Sequence, residues 1–393
     1  MIEFSPPDIG AREIEEVCAA LRSGWITTGE RVRRFEQKIT EYTGAAGAFC
    51  MSSATAALET TLRLLGIGEG DEVIIPAYTY TATAAAVLHT GAKPVMADCA
   101  RGSCLISPER IAELLTENTR AVIPVDIGGA LCDYDAIYRV LGARSGFEPK
   151  SELQEAFGRP VVVADAAPSF GSRKNGRESG WFADFSVFSF HAVNNLTTAE
   201  GGCVVWRGRE GLEPDRLHGN FRLLTLHGQT RDAREKTDGG WEYDVLLPGW
   251  KYNMTDLQAA LGLAQLDRYN GLLRRRRLLA DVYDAVLGGR MEVLEHSGEG
   301  FEYNRHLYMA SLPEGVSRDK LIGAMRERGV VCNVHFKPLP LLSAYRRLGY
   351  DARAVPNAVG LYLRELSLPI HTKMTESDAE YAAKTLCGLV FGG

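Results

Sequence analysis

The sequence predicts an α/β protein with a mostly parallel sheet that helices cover on both faces, followed by a smaller α+β domain. Up to about residue 245, short and nearly continuous apolar runs alternate with helical patterns, which is typical of parallel strands buried on both faces. After that point the pattern changes to one long helix over 256–283 and a few shorter elements. A length of 393 residues allows two domains at about 100–200 residues each, and we expect them at 1–245 and 246–393.

The first domain begins with two helical patterns and continues as alternating strands and helices. Apolar residues recur at helical spacing within 8–22 and 55–65, and Gly66 ends the second pattern. These apolar residues are Ile14, Val17, Leu21, Leu58, Leu62 and Leu65. Strands are predicted over 72–75, 95–97, 121–125, 161–164, 185–190 and 203–206, with helices over 82–89 and 108–115. We expect the segment around 145–155 to be a loop or a disordered insert.

The second domain is predicted to contain three helices and a strand. After the long helix, a helix over 317–328 ends at Gly329, and a strand is expected over 330–336. Thr375, with Asp378 three residues later, has the spacing of a capping box and predicts the start of the last helix.

Composition and charge exclude several classes of function. The net charge of −6 gives no reason to expect a nucleic acid or a membrane surface as partner. The start of the chain lacks a signal-peptide pattern, and no apolar run approaches the ~20 residues that span a bilayer, so we expect a cytoplasmic protein. The eight cysteines are scattered without a C-x-x-C pair, which predicts free thiols and no metal site. The run from Arg274 to Arg277 follows a helical pattern, and a solvated face or a subunit contact is favoured over an anion site.

Three segments have residue types that suit a bound ligand, and each also has a purely structural explanation. The segment 51–58 places small hydroxyl residues at a helix start, which suits a phosphate, although an ordinary N-cap explains them equally well. Tyr80 follows a buried strand, at the sheet edge where ligands collect, and a rim or core aromatic is the alternative. Asp165 directly follows an apolar strand, where a carboxylate is costly without a partner, and a helix-capping role is the alternative.

The segment 189–202, SFHAVNNLTTAEGG, resembles the Ser-Phe-x-x-x-Lys-x-x-x-x-Gly/Ala-Glu-Gly-Gly signature of the DegT/StrS family of pyridoxal-phosphate (PLP) sugar aminotransferases. In that family the lysine forms the Schiff base with PLP, and Asn194 stands in its place here. The segments 24–29, 248–260, 334–338 and 368–369, together with His306, match the family in the right order. The resemblance thus covers nearly the whole chain and implies a fold-type-I, aspartate-aminotransferase-like protein.

The resemblance also implies a role for each matching residue. Asp165 would contact the pyridine nitrogen and Tyr80 would stack on the ring, while Ala54, Thr55 and Ser189 would bind the phosphate. Lys251 and Asn253 would reach the phosphate of the neighbouring subunit, which implies a homodimer with shared sites. Family members often have Gln or His three residues after the aspartate to contact the 3-hydroxyl of the cofactor. Pro168 occupies that place here, and Ser169 is a possible substitute.

Because Asn194 replaces the lysine, membership of the family does not by itself imply catalytic activity. An amide is not basic and forms no Schiff base, so turnover should fall, and loss of a general base alone removes a factor of about 10²–10⁴. Three explanations stand: an engineered Lys→Asn change, a natural chain that binds its ligands without transamination, or a sugar dehydratase that uses pyridoxamine phosphate (PMP). The dehydratase is the least favoured, because its lysine is replaced by histidine rather than asparagine. Lys251 is not expected to take over, since the resemblance directs it at phosphate.

The function that the resemblance implies is amino transfer from an amino acid, with L-glutamate as donor, to a keto group on a nucleotide-linked sugar. The expected cofactor is PLP or PMP. The contrasting class is a binding or regulatory protein on the same scaffold.

Overall fold

A computed structural model describes residues 1–231 and 242–392 and confirms the predicted fold class. Its first part begins with α1 (Ala11–Arg22), α2 (Glu30–Thr43), β1 (Gly47–Met51), α3 (Ala54–Leu64), β2 (Glu72–Pro76), α4 (Thr81–His89), β3 (Lys93–Ala97), α5 (Pro108–Leu114) and β4 (Thr119–Val122). It continues with α6 (Tyr134–Gly142), α7 (Glu152–Phe157), β5 (Val161–Asp165), β6 (Arg173–Lys174), β7 (Arg177–Glu178), β8 (Phe185–Ser189), β9 (Gly202–Trp206) and α8 (Pro214–Thr225).

The second part opens with the long helix. Its elements are α9 (Asp256–Leu287), β10 (Glu292–Val293), β11 (Ser297–Gly298), β12 (Phe301–Glu302), β13 (Tyr308–Ser311), α10 (Arg318–Glu327), α11 (Ser343–Arg347), α12 (Pro356–Arg364), β14 (Glu365–Leu368) and α13 (Glu376–Phe391). None of the helices in the described residues is both long enough and apolar enough to cross a membrane.

The main sheet has seven strands among the described residues, in the order β1-β9-β8-β5-β4-β2-β3. The strands β3, β2, β4, β5 and β8 pair in parallel, and β9 is antiparallel to both of its neighbours. Since β9 lies between β1 and β8 and is antiparallel to both, β1 points the same way as β8. The carboxyl ends of β1, β2, β5 and β8 therefore meet at one edge.

Helices cover both faces of this sheet, as the continuous apolar strands predict. Successive residues of a strand point to opposite faces. Val162 and Ala164 of β5 belong to one buried cluster, whereas Val161 and Val163 belong to the other. Both clusters include helical residues, such as Phe35 on the first face and Leu62 on the second.

The helix α9 links the main sheet to the second part of the chain. Leu263 and Leu272, in its first half, pack in a cluster of the main sheet, whereas Leu279 and Leu287 pack against the small sheet β10-β13-β14. A four-stranded sheet, β11-β12-β6-β7, joins segments that are far apart in sequence. The domain division at residue 245 stays a prediction.

Most helix and strand predictions are confirmed within a few residues, and the cap predicted at Thr375 is present. The hydroxyl of Thr375 accepts from the Asp378 N–H at 3.1 Å, and the Asp378 carboxylate accepts from the Thr375 N–H at 2.8 Å. All eight cysteines are free, as predicted. On α1, however, Ile14 and Leu21 of the predicted apolar stripe are more than half exposed.

One local prediction is wrong, and another is confirmed only in part. The segment 330–336 is not a strand, because its residues bond to three different partners: Val330 bridges Ile2, Asn333 bridges Ser367, and the His335 N–H donates to the Glu365 carboxylate at 2.8 Å. The loop expected at 145–155 is confirmed over 145–151, but residues 152–155 belong to the start of α7. The hydroxyl of Ser151 caps that helix by accepting from the Gln154 N–H.

The arginine run is also not one solvated face. Arg276 is buried, and its Nη1 donates to the carbonyl oxygens of Arg305 and Ile370, each at 3.0 Å. Arg275 pairs with Glu376 at 2.9 Å and Arg277 with Glu302 at 3.0 Å. The guanidiniums of Arg275, Arg276 and Arg277 therefore have three different surroundings.

Candidate active site

The predicted site residues lie at the edge where the parallel strands end. Met51 ends β1 just before α3, Asp165 ends β5, and Ser189 ends β8. Tyr80 is the N-cap residue of α4, which follows β2. Elements far apart in sequence thus bring Ala54, Asp165 and Ser189 to one edge, where ligands of α/β sheets collect.

The start of α3 is arranged to receive an anion. Ser53 is the N-cap, and its Oγ accepts from the Ala56 N–H at 3.1 Å. Ala54 and Thr55 lie in the first turn, are partly exposed, and have N–H groups with no acceptor inside the helix. These N–H groups and the positive end of the helix dipole favour phosphate. We call Ser53, Ala54, Thr55 and Ser189 the phosphate cup.

Gly202 on β9 sets the position of the cup. A Cβ at this residue would lie 2.3 Å from the backbone nitrogen of Ala54 and 2.5 Å from the carbonyl carbon of Ser53. Gly201 is similarly constrained, since its Cβ would lie 2.1 Å from the Thr198 hydroxyl. Both glycines of the Glu-Gly-Gly turn are therefore required by close packing.

Asp165 is a buried carboxylate whose hydrogen bonds come from neutral groups. Its Oδ2 accepts from the Thr83 hydroxyl at 2.7 Å, and its Oδ1 accepts from the Ala167 N–H at 3.3 Å. Burial raises the pKa of Asp165, although both hydrogen bonds oppose the shift. No Lys, Arg or His in the described part of the chain forms a salt bridge with it. A positively charged donor from a ligand would compensate the cost of burying this charge.

A second buried carboxylate, Asp126, follows the neighbouring strand β4. Its Oδ1 accepts from the Cys132 N–H at 3.0 Å and the Tyr134 hydroxyl at 2.8 Å, and its Oδ2 accepts from the Ser169 hydroxyl at 2.8 Å. Burial raises the pKa of Asp126 to about 6, and repulsion from Asp165 adds to that shift. Because Pro168 stands where family members often contact the 3-hydroxyl of the cofactor, the sequence offered Ser169 as a substitute. Ser169 is fully buried and donates to Asp126, so it does not provide that contact.

Asn194 occupies an ordered position beside Ser189. Its Nδ2 donates to the Ser189 hydroxyl oxygen at 2.8 Å, and its backbone N–H donates to the His191 carbonyl at 2.9 Å. Because the Ser189 oxygen accepts this bond, its own proton remains available for another acceptor. The side chain at position 194 thus lies within reach of the phosphate cup.

Three polar residues, to which the sequence gave no role, form hydrogen bonds beside Asn194. Asn195 donates to the Asn304 carbonyl at 2.9 Å, and its Oδ1 lies 3.4 Å from His306 Nδ1. Burial, with nearby Arg276 and His335, lowers the pKa of His306 to about 3. His306 is therefore neutral, although the sequence offered it only as a family match. Asn304 had no signal in the sequence, since its contacts form only in the folded chain.

Tyr80 lies close to the other predicted groups, but its ring makes few contacts. Thr83, less than one helical turn later, donates to Asp165, which places the start of α4 beside that carboxylate. The Tyr80 side chain is 63% exposed, and its ring centroid lies 6.1 Å from that of Phe336. The ring therefore faces open space at the edge of the site.

Lys251 and Asn253 lie beside the end of β1 in their own chain. Met51 bridges Asn253, and the Ser52 N–H donates to the Tyr252 carbonyl at 2.7 Å. Lys251 Nζ donates to Asn253 Oδ1, and Asn253 Nδ2 donates to the Thr28 hydroxyl at 2.7 Å. Partial burial lowers the pKa of Lys251. Contact of either residue with a neighbouring subunit stays a prediction.

The fold and this edge define a class of α/β proteins with an anion site at a helix start and a buried acid beside it. The pattern of the DegT/DnrJ/EryC1/StrS aminotransferase family matches residues 7–387, and the chain belongs to that family.

Individual relatives agree along their whole length. The spore coat polysaccharide biosynthesis protein SpsC of Bacillus subtilis is 35% identical over an alignment that covers 100% of this chain and 97% of that protein. The putative sugar aminotransferase Spr1654 of Streptococcus pneumoniae in its PMP form is 44% identical, with a TM-score of 0.95 and 98% of each chain covered. Its PLP form gives a TM-score of 0.94, covering 98% of this chain and 97% of that chain. These two forms agree with the predicted cofactor.

Proposed function

We propose that this chain is a PLP-binding sugar aminotransferase scaffold with asparagine at the position of the Schiff-base lysine. The parent reaction is transfer of an amino group from L-glutamate to a keto group on a nucleotide-linked sugar. The observation that carries this proposal is the buried Asp165 carboxylate, which lies at the open end of the sheet and has no cationic partner in the described part of the chain. Family membership and the names of SpsC and Spr1654 support the sugar substrate.

The residues present fit PLP or PMP. A pyridine nitrogen that carries a proton is the cationic donor that Asp165 lacks, and the cup offers N–H groups and a hydroxyl to a phosphate. When bound, the cofactor supplies an electron sink for the bond broken at the substrate carbon. Asp165 keeps the proton on the pyridine nitrogen, because the buried carboxylate is stabilised by a positive neighbour. Tyr80 has an exposed ring that can cover one face of the cofactor.

Phosphate binding in this proposal involves Ala54, Thr55 and Ser189 from one subunit. Ser189 is already oriented, since Asn194 and the His191 N–H both donate to its oxygen, at 2.8 and 3.3 Å. Lys251 and Asn253 complete the phosphate site of a second copy in a homodimer. The division at residues 245 and 246 separates the cofactor-binding part from the smaller part.

Asn194 decides how much of the reaction this chain performs. Its amide donates to Ser189. An amide nitrogen is not basic and forms no Schiff base, so Asn194 neither attaches the cofactor nor moves a proton at the substrate carbon. We therefore propose severely impaired turnover with cofactor binding retained. A non-transaminating binding protein is the second candidate, and the ordered bond from Asn194 to Ser189 favours it, because this bond supports the phosphate cup without a lysine.

The test compares this chain with Asn194→Lys, each supplied with PLP and L-glutamate. We expect the variant to convert PLP to PMP and release 2-oxoglutarate at least about 10²-fold faster, because a general base typically contributes about 10²–10⁴. His191→Lys is the matched control, since it places a lysine at an exposed position of the same loop and should give no gain. No reaction in Asn194→Lys, with PLP bound to both proteins, would contradict the aminotransferase proposal and leave the binding protein.

A further inference from the structure

A cavity rich in arginine lies between α9, the segment around Arg173 and the segment 302–305. It has a volume of about 280 Å³, and its lining includes Arg173, Arg274, Arg277 and Arg305 together with a single carboxylate, Glu302. We call it the arginine cavity. Among the lining residues four guanidiniums face one carboxylate, and even with Glu178, which pairs with Arg173 from outside the lining, positive charge is in excess here in a chain whose net charge is −6.

Two of these arginines are not held by a short ion pair among the described residues. Arg274 is exposed and has no hydrogen bond or ion pair within the residues that the structure describes. The side chain of Arg305 is only 3% exposed; its Nη1 donates to the Tyr303 carbonyl at 2.6 Å and contacts Glu302 at 3.4 Å. The Nε of Arg305 is buried without an acceptor. A buried guanidinium with a donor that has no acceptor among the described residues is costly, and the negative charge of an anion in the cavity would lower that cost by attraction, although the Nε itself is not exposed to the cavity.

The other two arginines are already oriented by carboxylates, one by Glu178 outside the lining and one by the lining residue Glu302. Arg173 Nε donates to Glu178 at 2.5 Å, and Arg277 Nη1 donates to Glu302 at 3.0 Å. Each of these guanidiniums has further N–H groups, since a guanidinium carries five. The wall beside Gly171 is tightly packed on α9, because a Cβ at Gly171 would lie 2.9 Å from both Leu273 and Tyr269.

We propose that the arginine cavity is a second binding site, for a small polyanion that carries a diphosphate group. One carboxylate is satisfied by one guanidinium, whereas a diphosphate presents several oxygens that can bind separate guanidinium forks. The spread of Arg274 and Arg305 around one cavity therefore fits a ligand with more than one anionic group. The residues assigned to the cofactor do not line this cavity, so the site is separate from the phosphate cup.

The experiment is isothermal titration calorimetry of the full chain in phosphate-free buffer with inorganic pyrophosphate, and separately with uridine diphosphate. Each titration is run with and without saturating PLP, because PLP competes for the phosphate cup but not for the arginine cavity. We expect about one Arg274-dependent site per chain that persists with PLP. Arg274→Ala should weaken that binding about tenfold through loss of a charged hydrogen bond, and Arg274→Glu should abolish it.

The matched control is Arg290→Ala, which removes an exposed arginine just beyond the end of α9. Since Arg274 has no partner in the described chain, both alanine variants should fold, and circular dichroism should show it. Arg274-dependent binding of both ligands identifies the diphosphate group as the recognised element, and binding of pyrophosphate alone identifies a free inorganic anion. Absence of binding, binding that Arg274→Glu leaves unchanged, or an equal loss in Arg290→Ala would each overturn the proposal.

Discussion

The phosphate cup with Asp165 and the loop at Asn194 meet at the same edge but offer a cofactor different things. The first region has fixed donors at the start of α3, an oriented Ser189 hydroxyl and a buried acid that no cation of the described residues neutralises. The second presents a neutral amide that is bonded to the first. The comparison shows that the residues suited to binding a cofactor and the residue at the Schiff-base position lie on different elements of this fold. One can therefore be lost while the other remains intact.

The largest expected effect on the binding region comes from Asp165→Asn. The exchange keeps the shape but removes the charge: the amide oxygen can still accept from the Ala167 N–H, and the amide nitrogen can donate to the Thr83 hydroxyl, which reverses the direction of that bond. A hydrogen bond to a charged group contributes about 1.5–3 kcal/mol, so PLP affinity should fall about 10–100-fold in equilibrium titrations followed by absorbance.

The matched control for this change is Asp126→Asn, in the segment that follows the neighbouring strand β4. Three donors of the chain already occupy Asp126, so we expect PLP affinity to stay within about threefold of the original, a difference below about 1 kcal/mol. Equal losses in the two variants would show that Asp165 is not a specific contact of the cofactor.

Asp126 should also give stability a measurable pH dependence. Its pKa is raised from 3.8 to about 6 in the folded chain, so the folded state binds more protons than the unfolded state between about pH 4 and 6. The contribution of this group to the free energy of unfolding is therefore largest below pH 4 and falls as the pH rises to 6. A difference of about two pKa units corresponds to about 3 kcal/mol.

Urea unfolding of the original chain and Asp126→Asn at several pH values measures this effect. Relative to the original chain, the variant should gain stability steadily from pH 4 to 6 and remain level above that range. A constant difference across the range would contradict the raised pKa.

The smallest expected effect concerns the frame of the cup. Gly202→Ala forces a Cβ against the backbone of Ser53 and Ala54, and overpacking typically costs about 1–3 kcal/mol. We expect a lower midpoint of urea unfolding together with weaker PLP binding. Gly208→Ala is the control, since its Cβ would make only an ordinary contact at 3.6 Å with Ala46. Unchanged PLP binding in Gly202→Ala would show that the packing of Gly202 does not position the phosphate cup.

The sequence predicted the parts of the fold that depend on local patterns. Apolar runs such as 161–164 and the cap at Thr375 specify their elements with few distant contacts. The conformation of the segment 330–336 could not be predicted, because its backbone groups bond to Ile2, to Ser367 and to the side chain of Glu365, all distant in sequence. The placement of Arg276 failed for the same reason, since carbonyl groups from two other segments surround it.

In the candidate site, too, the features set by local sequence could be predicted and those set by distant contacts could not. Asp165 and Ser189 follow strands, so the sequence could place them at the sheet edge. The acceptor of the Ser169 hydroxyl is Asp126, in the segment after β4, and no pattern around Pro168 indicates that contact. Asn304 and His306 reach the Asn194 loop only through tertiary packing.

The most direct test of the central claim, that the cofactor is bound without covalent attachment, is borohydride reduction of the PLP-loaded chain followed by peptide mass spectrometry. We predict PLP in the untreated complex but no phosphopyridoxyl group on any lysine after reduction, whereas Asn194→Lys should be labelled at residue 194. Stoichiometric labelling of Lys251 in the original chain would contradict the account, because a second lysine would then attach the cofactor in place of the missing one.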